Sequence, residues 1–139
     1  MGYDFCFFSL KPQLDLLFPC GFDETPNEPG PISWSTLRQR ILARGARENG
    51  SADCLWLDFG DDNSIVVNGR ADGISLDVHA EWNFVLELYM DFLPFEPGLV
   101  ICDLQEGCYH DEKSFRQFMI ESGYPPPPNQ ALERTDSAE

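Results

Sequence analysis

The residues best suited to chemistry lie close together late in the chain: Cys102, Asp103, Cys108, His110 and Asp111. Thiolate, imidazole and carboxylate are the donors that hold zinc, and they are also the groups of nucleophile–base catalysis. A structural zinc site wants one ligand pair two to four residues apart and a second pair brought in from a distance. Cys108 and His110 meet the first condition, but the second needs His79 or Cys102 to converge on them. A Cys/His dyad such as Cys108 with His79 has no supporting local motif. Packing is the simpler account of this cluster, so no metal and no cofactor is expected.

Other patterns carry less. Asp58-Phe59-Gly60 matches a kinase tripeptide, yet the chain has neither the glycine-rich phosphate loop nor the catalytic-loop motif that must accompany it. Asp58, Asp61, Asp62 and Asn63 do not follow the alternation, central glycine and terminal glutamate of a calcium loop. Carboxylates are so numerous that no pair stands out as an acid–base couple. The expectation is a non-catalytic chain; the alternative is a metal-dependent or hydrolytic enzyme using the Asp103–Asp111 cluster.

Charge is more informative. The 139 residues hold 24 acids and 9 bases, a net of −15. Residues 1–47 are balanced at five of each, whereas residues 48–112 hold fifteen acids against Arg70 alone. That field repels nucleic acid and anionic membranes and attracts basic proteins. Solubility is the bland explanation for the same acidity. Eighteen aromatic residues suffice for a core, and no apolar run is long enough to cross a bilayer. The N-terminus lacks the basic start of a secretory signal, and Cys6 stands where a myristoylation motif needs Ser or Thr. Five cysteines, an odd count without C-x-x-C spacing, point to a reducing compartment and a cytoplasmic protein.

These groups must be positioned by an α+β domain over residues 1–124. Tyr3–Leu10 is aromatic-rich and reads as a buried strand. Lys11–Ile32 is a proline-rich connection with a short helical turn at Gln13–Phe18. Ser33 or Ser35 caps a helix to about Ala46, with Trp34, Leu37 and Ile41 inward and Arg40, Arg44 and Arg47 as an outer basic stripe. Cys54–Phe59, Ser64–Gly69 and Ile74–Ala80 form an antiparallel meander, turning at Asp61-Asp62-Asn63 and Ala71-Asp72-Gly73. Glu81–Leu93 and about Glu112–Ser122 are helices, and Leu99–Leu104 is a strand buried on both faces. The expected fold is a mostly antiparallel sheet of about five strands in βαβββαβα order, with three helices packed on it. Residues 125–139 begin with a proline run and read as a flexible tail.

Period-2 alternation puts Trp56, Asp58, Asp77 and His79 on one strand face. Asp61 and Asp62 extend that surface at the turn, and Glu87 and Asp91 are outward on the second long helix. Trp56, Asp58, Asp61, Asp62, Asp77, Glu87 and Asp91 are thus the expected partner-binding residues, an aromatic anchor among carboxylates that fix register.

The opening Y-D-F-C-F-F and the later G-L-V-I-C-D-L-Q-E-G-C-Y-H-D resemble the layout of small acidic bacterial proteins of unknown function, some associated with polymorphic-toxin immunity. The resemblance covers about twenty residues at the two ends of the domain, and neither stretch is a catalytic signature. It implies an inhibitor that plugs a toxin's active site; independently of the resemblance, an acidic protein can occupy the basic groove of a nuclease-like toxin by mimicking phosphates. A third possibility is an acidic structural subunit of an assembly.

Overall fold

The computed structural model describes residues 3–10, 17–22 and 30–123. In chain order the elements are β1 Tyr3–Ser9, β2 Cys20–Gly21, α1 Trp34–Ala43, β3 Arg47–Ser51, β4 Cys54–Gly60, β5 Asn63–Arg70, β6 Gly73–His79, α2 Trp82–Phe92, β7 Leu99–Asp103, β8 Cys108–His110 and α3 Glu112–Glu121. All strands join one antiparallel sheet in the order β2-β8-β7-β1-β6-β5-β4-β3.

Alternation along the strands decides which side is dry. Phe5 and Phe7 of β1, Leu55 and Leu57 of β4, Ile65 and Val67 of β5, Ile74, Leu76 and Val78 of β6, and Leu99 and Ile101 of β7 share one core. Leu37 and Ile41 of α1, Val85, Leu88 and Phe92 of α2, and Phe115 and Met119 of α3 pack on that same face. The opposite face carries a smaller cluster at one end, where Cys6, Leu10, Val100, Cys102 and Tyr109 are packed by Phe8 and Phe18. Its other half, over β6 to β3, has no helix against it among the described residues.

Two glycines make close packing possible. The Trp34 ring lies so near Gly69 that an added Cβ would stand 2.2 Å from it, and one added to Gly73 would stand 2.4 Å from the Phe8 ring. Tyr89 is held by its hydroxyl, which donates to the Leu99 carbonyl at 2.7 Å.

The meander, the three helices and the doubly buried strand agree with the sequence reading. The strand number does not: the sheet has eight strands rather than about five. The extra ones escape periodicity for separate reasons. β2 and β8 have two and three residues, too few to show a period. β3 is the all-exposed edge R-E-N-G-S and has no apolar residue to mark it. Consequently Arg47 is not part of a helical stripe with Arg40 and Arg44. The α1 helix ends at Ala43, and Gly45, at φ 96, turns the chain into β3. Ser33 stands at the start of α1 without a side-chain capping bond; its carbonyl instead accepts from the Thr36 and Leu37 N–H groups. The first part of the expected turn at Gln13–Phe18, most of the 11–32 connection and the 125–139 tail lie outside the described residues.

Candidate functional site

Two places gather the residues singled out above. The first is the half of the sheet against which no helix of the described residues packs. Cross-strand register sets Arg47 beside Trp56, Trp56 beside Val66, Val66 beside Asp77 and Asp77 beside Asp4, a row running from β3 to β1. Asp58, Ser64 and His79 form the next row. Trp56 is half-buried, and the Arg47 guanidinium sits 5.1 Å from its ring centroid. Asp58 and Asp77 are exposed, and the Asp77 carboxylate lies 3.2 Å from His79 Nε2.

The β4–β5 turn closes this surface. Asp61 and Asp62 both have left-handed backbones, at φ 54 and 65. This is the two-residue hairpin form that normally selects Asn-Gly, because side chains other than Gly, Asn and Asp are crowded there. The turn is braced rather than loose. Asp58 accepts from the Gly60 N–H at 2.9 Å, and Asn63 Nδ2 donates to the Gly60 and Asp61 carbonyls. Asn63 Oδ1 also accepts from the Glu81 N–H at 2.9 Å, tying the turn to the start of α2. Trp56, Asp58, Gly60, Asp61, Asp62 and Ser64 line a shallow recess of about 430 Å³.

Five of the seven expected binding residues, Trp56, Asp58, Asp61, Asp62 and Asp77, therefore lie together. Glu87 and Asp91 do not join them. They project from α2 on the helical side of the sheet, where Arg44 pairs with Glu87 at 2.8 Å and both Arg40 and Arg44 pair with Asp91. Burial alone would raise the Asp91 carboxyl, but hydrogen bonds and charge from the two arginines outweigh it and hold the group below its ordinary range. The acids of α2 are thus neutralised within the fold by the helical arginines. Sequence periodicity placed both sets on outer helix faces; only packing of α1 against α2 could show that they meet.

The second place is the 103–111 region. Asp103 is fully buried, and its carboxylate accepts from the Tyr3 hydroxyl at 2.9 and 3.0 Å and from the Gln105 and Glu106 N–H groups at 3.0 Å. Burial, then the Asp103 bond and charge, push the Tyr3 phenol above its ordinary value. Asp103 is therefore committed to holding the β7–β8 turn and the start of β1. Cys102 points to the other side of the sheet, beside Cys6, and His79 is exposed on β6, with β7 and β1 between it and β8, so neither reaches Cys108.

Cys108 and His110, two apart on β8, do meet: Sγ to Nε2 is 3.5 Å. His110 is 3 % exposed, stacked on Phe118 at 5.1 Å and bonded through Nδ1 to Ser114 Oγ at 2.9 Å. Ser114 belongs to the capping box that starts α3, exchanging bonds with Asp111. Burial pushes the Cys108 thiol up to about 11, assisted by Asp103 and Glu106, and burial lowers His110 against the pull of Asp103 and Asp111. The pair consequently rests as neutral thiol and neutral imidazole, not as an activated thiolate. A cavity of about 510 Å³ opens beside it, bounded by Phe18, Glu106, Lys113, Phe118 and Glu121. Among the described residues, no group of three or more His, Cys, Asp or Glu side chains is placed so that it could hold a metal ion.

No protein family, curated protein or solved structure matches the chain.

Proposed function

We propose that the chain is a non-catalytic acidic binding module that docks a basic protein on the uncovered half of its sheet, as an immunity-type inhibitor of a nuclease-like toxin would. The observation that carries this reading is the union of a half-buried Trp56 with Asp58, Asp61, Asp62 and Asp77 on a surface against which no helix of the described residues packs, its acidic turn braced by Asn63. An aromatic on a rigid sheet gives anchoring area at little entropic cost, and surrounding carboxylates give steering and register. Close charge pairs across such an interface couple by about 1.5–7 kcal/mol. Among the described residues, Arg47 and Arg70 are the arginines on this face, and each is already near a partner, the Trp56 ring and Asp72 respectively.

The test uses two immobilised baits in extract of the native source at low salt: the wild-type chain and a Trp56→Ala, Asp58→Asn, Asp77→Asn variant of equal circular dichroism. A single basic protein held at near one-to-one on the wild type, released by a salt gradient and lost from the variant, supports the reading. Equal recovery on both baits, or early release of assorted basic proteins alone, overturns it.

A further inference from the structure

Cys6 and Cys102 stand directly opposite one another on β1 and β7, two inner strands of the sheet. We propose that this pair is an oxidation site: hydrogen peroxide converts the two thiols into a Cys6–Cys102 disulfide across the middle of the sheet, and a small thiol such as glutathione reverses it. The site is built from none of the residues of the proposed binding surface and does not depend on that reading.

Register singles out this pair among the five free thiols. Residues facing each other across antiparallel strands point to the same side, and Cys6 and Cys102 share one small cluster with Leu10, Val100 and Tyr109. The other three face different residues across their strands: Cys20 faces Tyr109, Cys54 faces Ser51 and Asn68, and Cys108 faces Asp103 and Gly21. The Cys6 and Cys102 side chains already meet, one thiol hydrogen-bonding to the other.

The backbone pattern fixes how the bond sits. The Leu10 N–H donates to the Gly98 carbonyl at 2.8 Å, and stepping back along β1 by twos from that hydrogen-bonded pair reaches Cys6 opposite Cys102. Such pairs have Cα atoms about 5.5 Å apart, inside the window of about 4.4–6.8 Å that disulfides span. Their Cβ atoms, toward about 5.5 Å, are wider apart than the roughly 3.5–4.5 Å of a relaxed disulfide. The strands must therefore close by about 1 Å at Cβ, and the bond is made under strain. A strained disulfide is the easily reduced kind, which suits a reversible mark and not a permanent brace.

The two thiols have different parts. Cys6 is 7 % exposed and Cys102 1 %. The hydrogen bond from Cys102 lowers Cys6 toward its thiolate against the opposing effect of burial, whereas the same bond and burial raise Cys102. Cys6 therefore meets the oxidant. Its thiolate attacks one peroxide oxygen, the O–O bond breaks and hydroxide leaves, giving a sulfenic acid. The Cys102 sulfur then attacks the Cys6 sulfur, the S–O bond breaks, and water departs with the Cys102 proton. Two thiols lose two electrons and two protons, and peroxide becomes two waters. Phe8 and Phe18 pack against this cluster, which keeps bulky oxidants from the pair.

The experiment treats the folded full-length protein with hydrogen peroxide, alkylates the remaining thiols and maps the fragments by mass spectrometry. Expected are a loss of two hydrogens, a linked fragment containing Cys6 and Cys102, alkylation at Cys20, Cys54 and Cys108, and full reversal by excess glutathione. Cys102→Ala stops at a Cys6 sulfenic acid that dimedone traps, and Cys6→Ala leaves Cys102 unoxidised under the same exposure. Cys54→Ser leaves the linked fragment in place. Circular dichroism confirms that each variant is folded, and the wild-type map decides where one is not. Absence of the linked fragment from folded protein, a link that forms only in urea, or a link between any other two cysteines overturns the site. A bond that resists excess glutathione overturns its reversibility.

Discussion

Replacing Asp61-Asp62 by Asn-Gly should make the protein more stable and a poorer binder. Both positions are left-handed, at φ 54 and 65, where a generic L-residue costs about 1–2 kcal/mol and Asp somewhat less. Glycine at the second position removes that cost, although its freedom in the unfolded chain returns part of the gain. Relief of repulsion among Asp58, Asp61 and Asp62 adds a few tenths. The net expectation is about 1 kcal/mol of added stability, or roughly 3–6 °C in Tm for a domain of this size. Urea unfolding followed by circular dichroism measures it. Asp61→Asn with Asp62→Asn isolates charge, since Asn keeps the left-handed backbone, and Asp62→Gly isolates strain. If Asp62→Gly is no more stable than the wild type, the strain argument is wrong. If the Asn-Gly variant is more stable and still binds the captured partner with undiminished affinity, the turn acids play no part in docking.

Three further outcomes follow from packing and charge. Gly69→Ala must push the Trp34 ring by roughly 1.3 Å from its 2.2 Å approach to ordinary contact, straining its 2.8 Å bond to Asp53; a loss of about 2 kcal/mol is expected in urea unfolding, and much less in a Trp34→Ala background. Asp91→Asn should cost about 1–2 kcal/mol at neutral pH by stranding Arg40 and Arg44. Because the folded carboxyl is held low, its stabilisation is complete above about pH 4 and disappears as pH falls through the depressed value, so unfolding curves of the variant should be flatter in that acid range. His110 is likewise depressed, by burial. Its contribution is full above about pH 6.5 and falls away below it, and His110→Gln should reduce the slope of stability between pH 7 and 5.

Much of this architecture was readable where burial writes a period into the chain. β4, β5 and β6 alternate cleanly because one side faces the helices, and β7 is buried throughout, with four apolar residues before Asp103, because both sides are covered. The face shared by Trp56, Asp58 and Asp77 followed from the same alternation. Legibility failed where pairing is made by backbone alone. Nothing in R-E-N-G-S distinguishes an edge strand from a frayed helix end, because an exposed strand buries no side chain. The meeting of Arg40 and Arg44 with Asp91 joins residues about fifty positions apart and needs the α1–α2 packing to be known. Cys108 and His110 were visible as a pair two apart, but their convergence depended on recognising a three-residue strand.

The sheet's lateral order also governs how the chain tolerates crowding with its own copies. Its stickiest segments, Y-D-F-C-F-F-S and L-V-I-C-D, occupy inner positions where both backbone edges are paired. The flanks are a fully exposed polar strand on one side and two very short strands on the other, neither of which offers a long apolar template for intermolecular pairing. The weak margin is the β2–β8 side: peeling away those few residues uncovers the backbone of β7, an apolar strand ready to recruit another chain. Intermolecular strand pairing should therefore track the opening of that margin and not global unfolding.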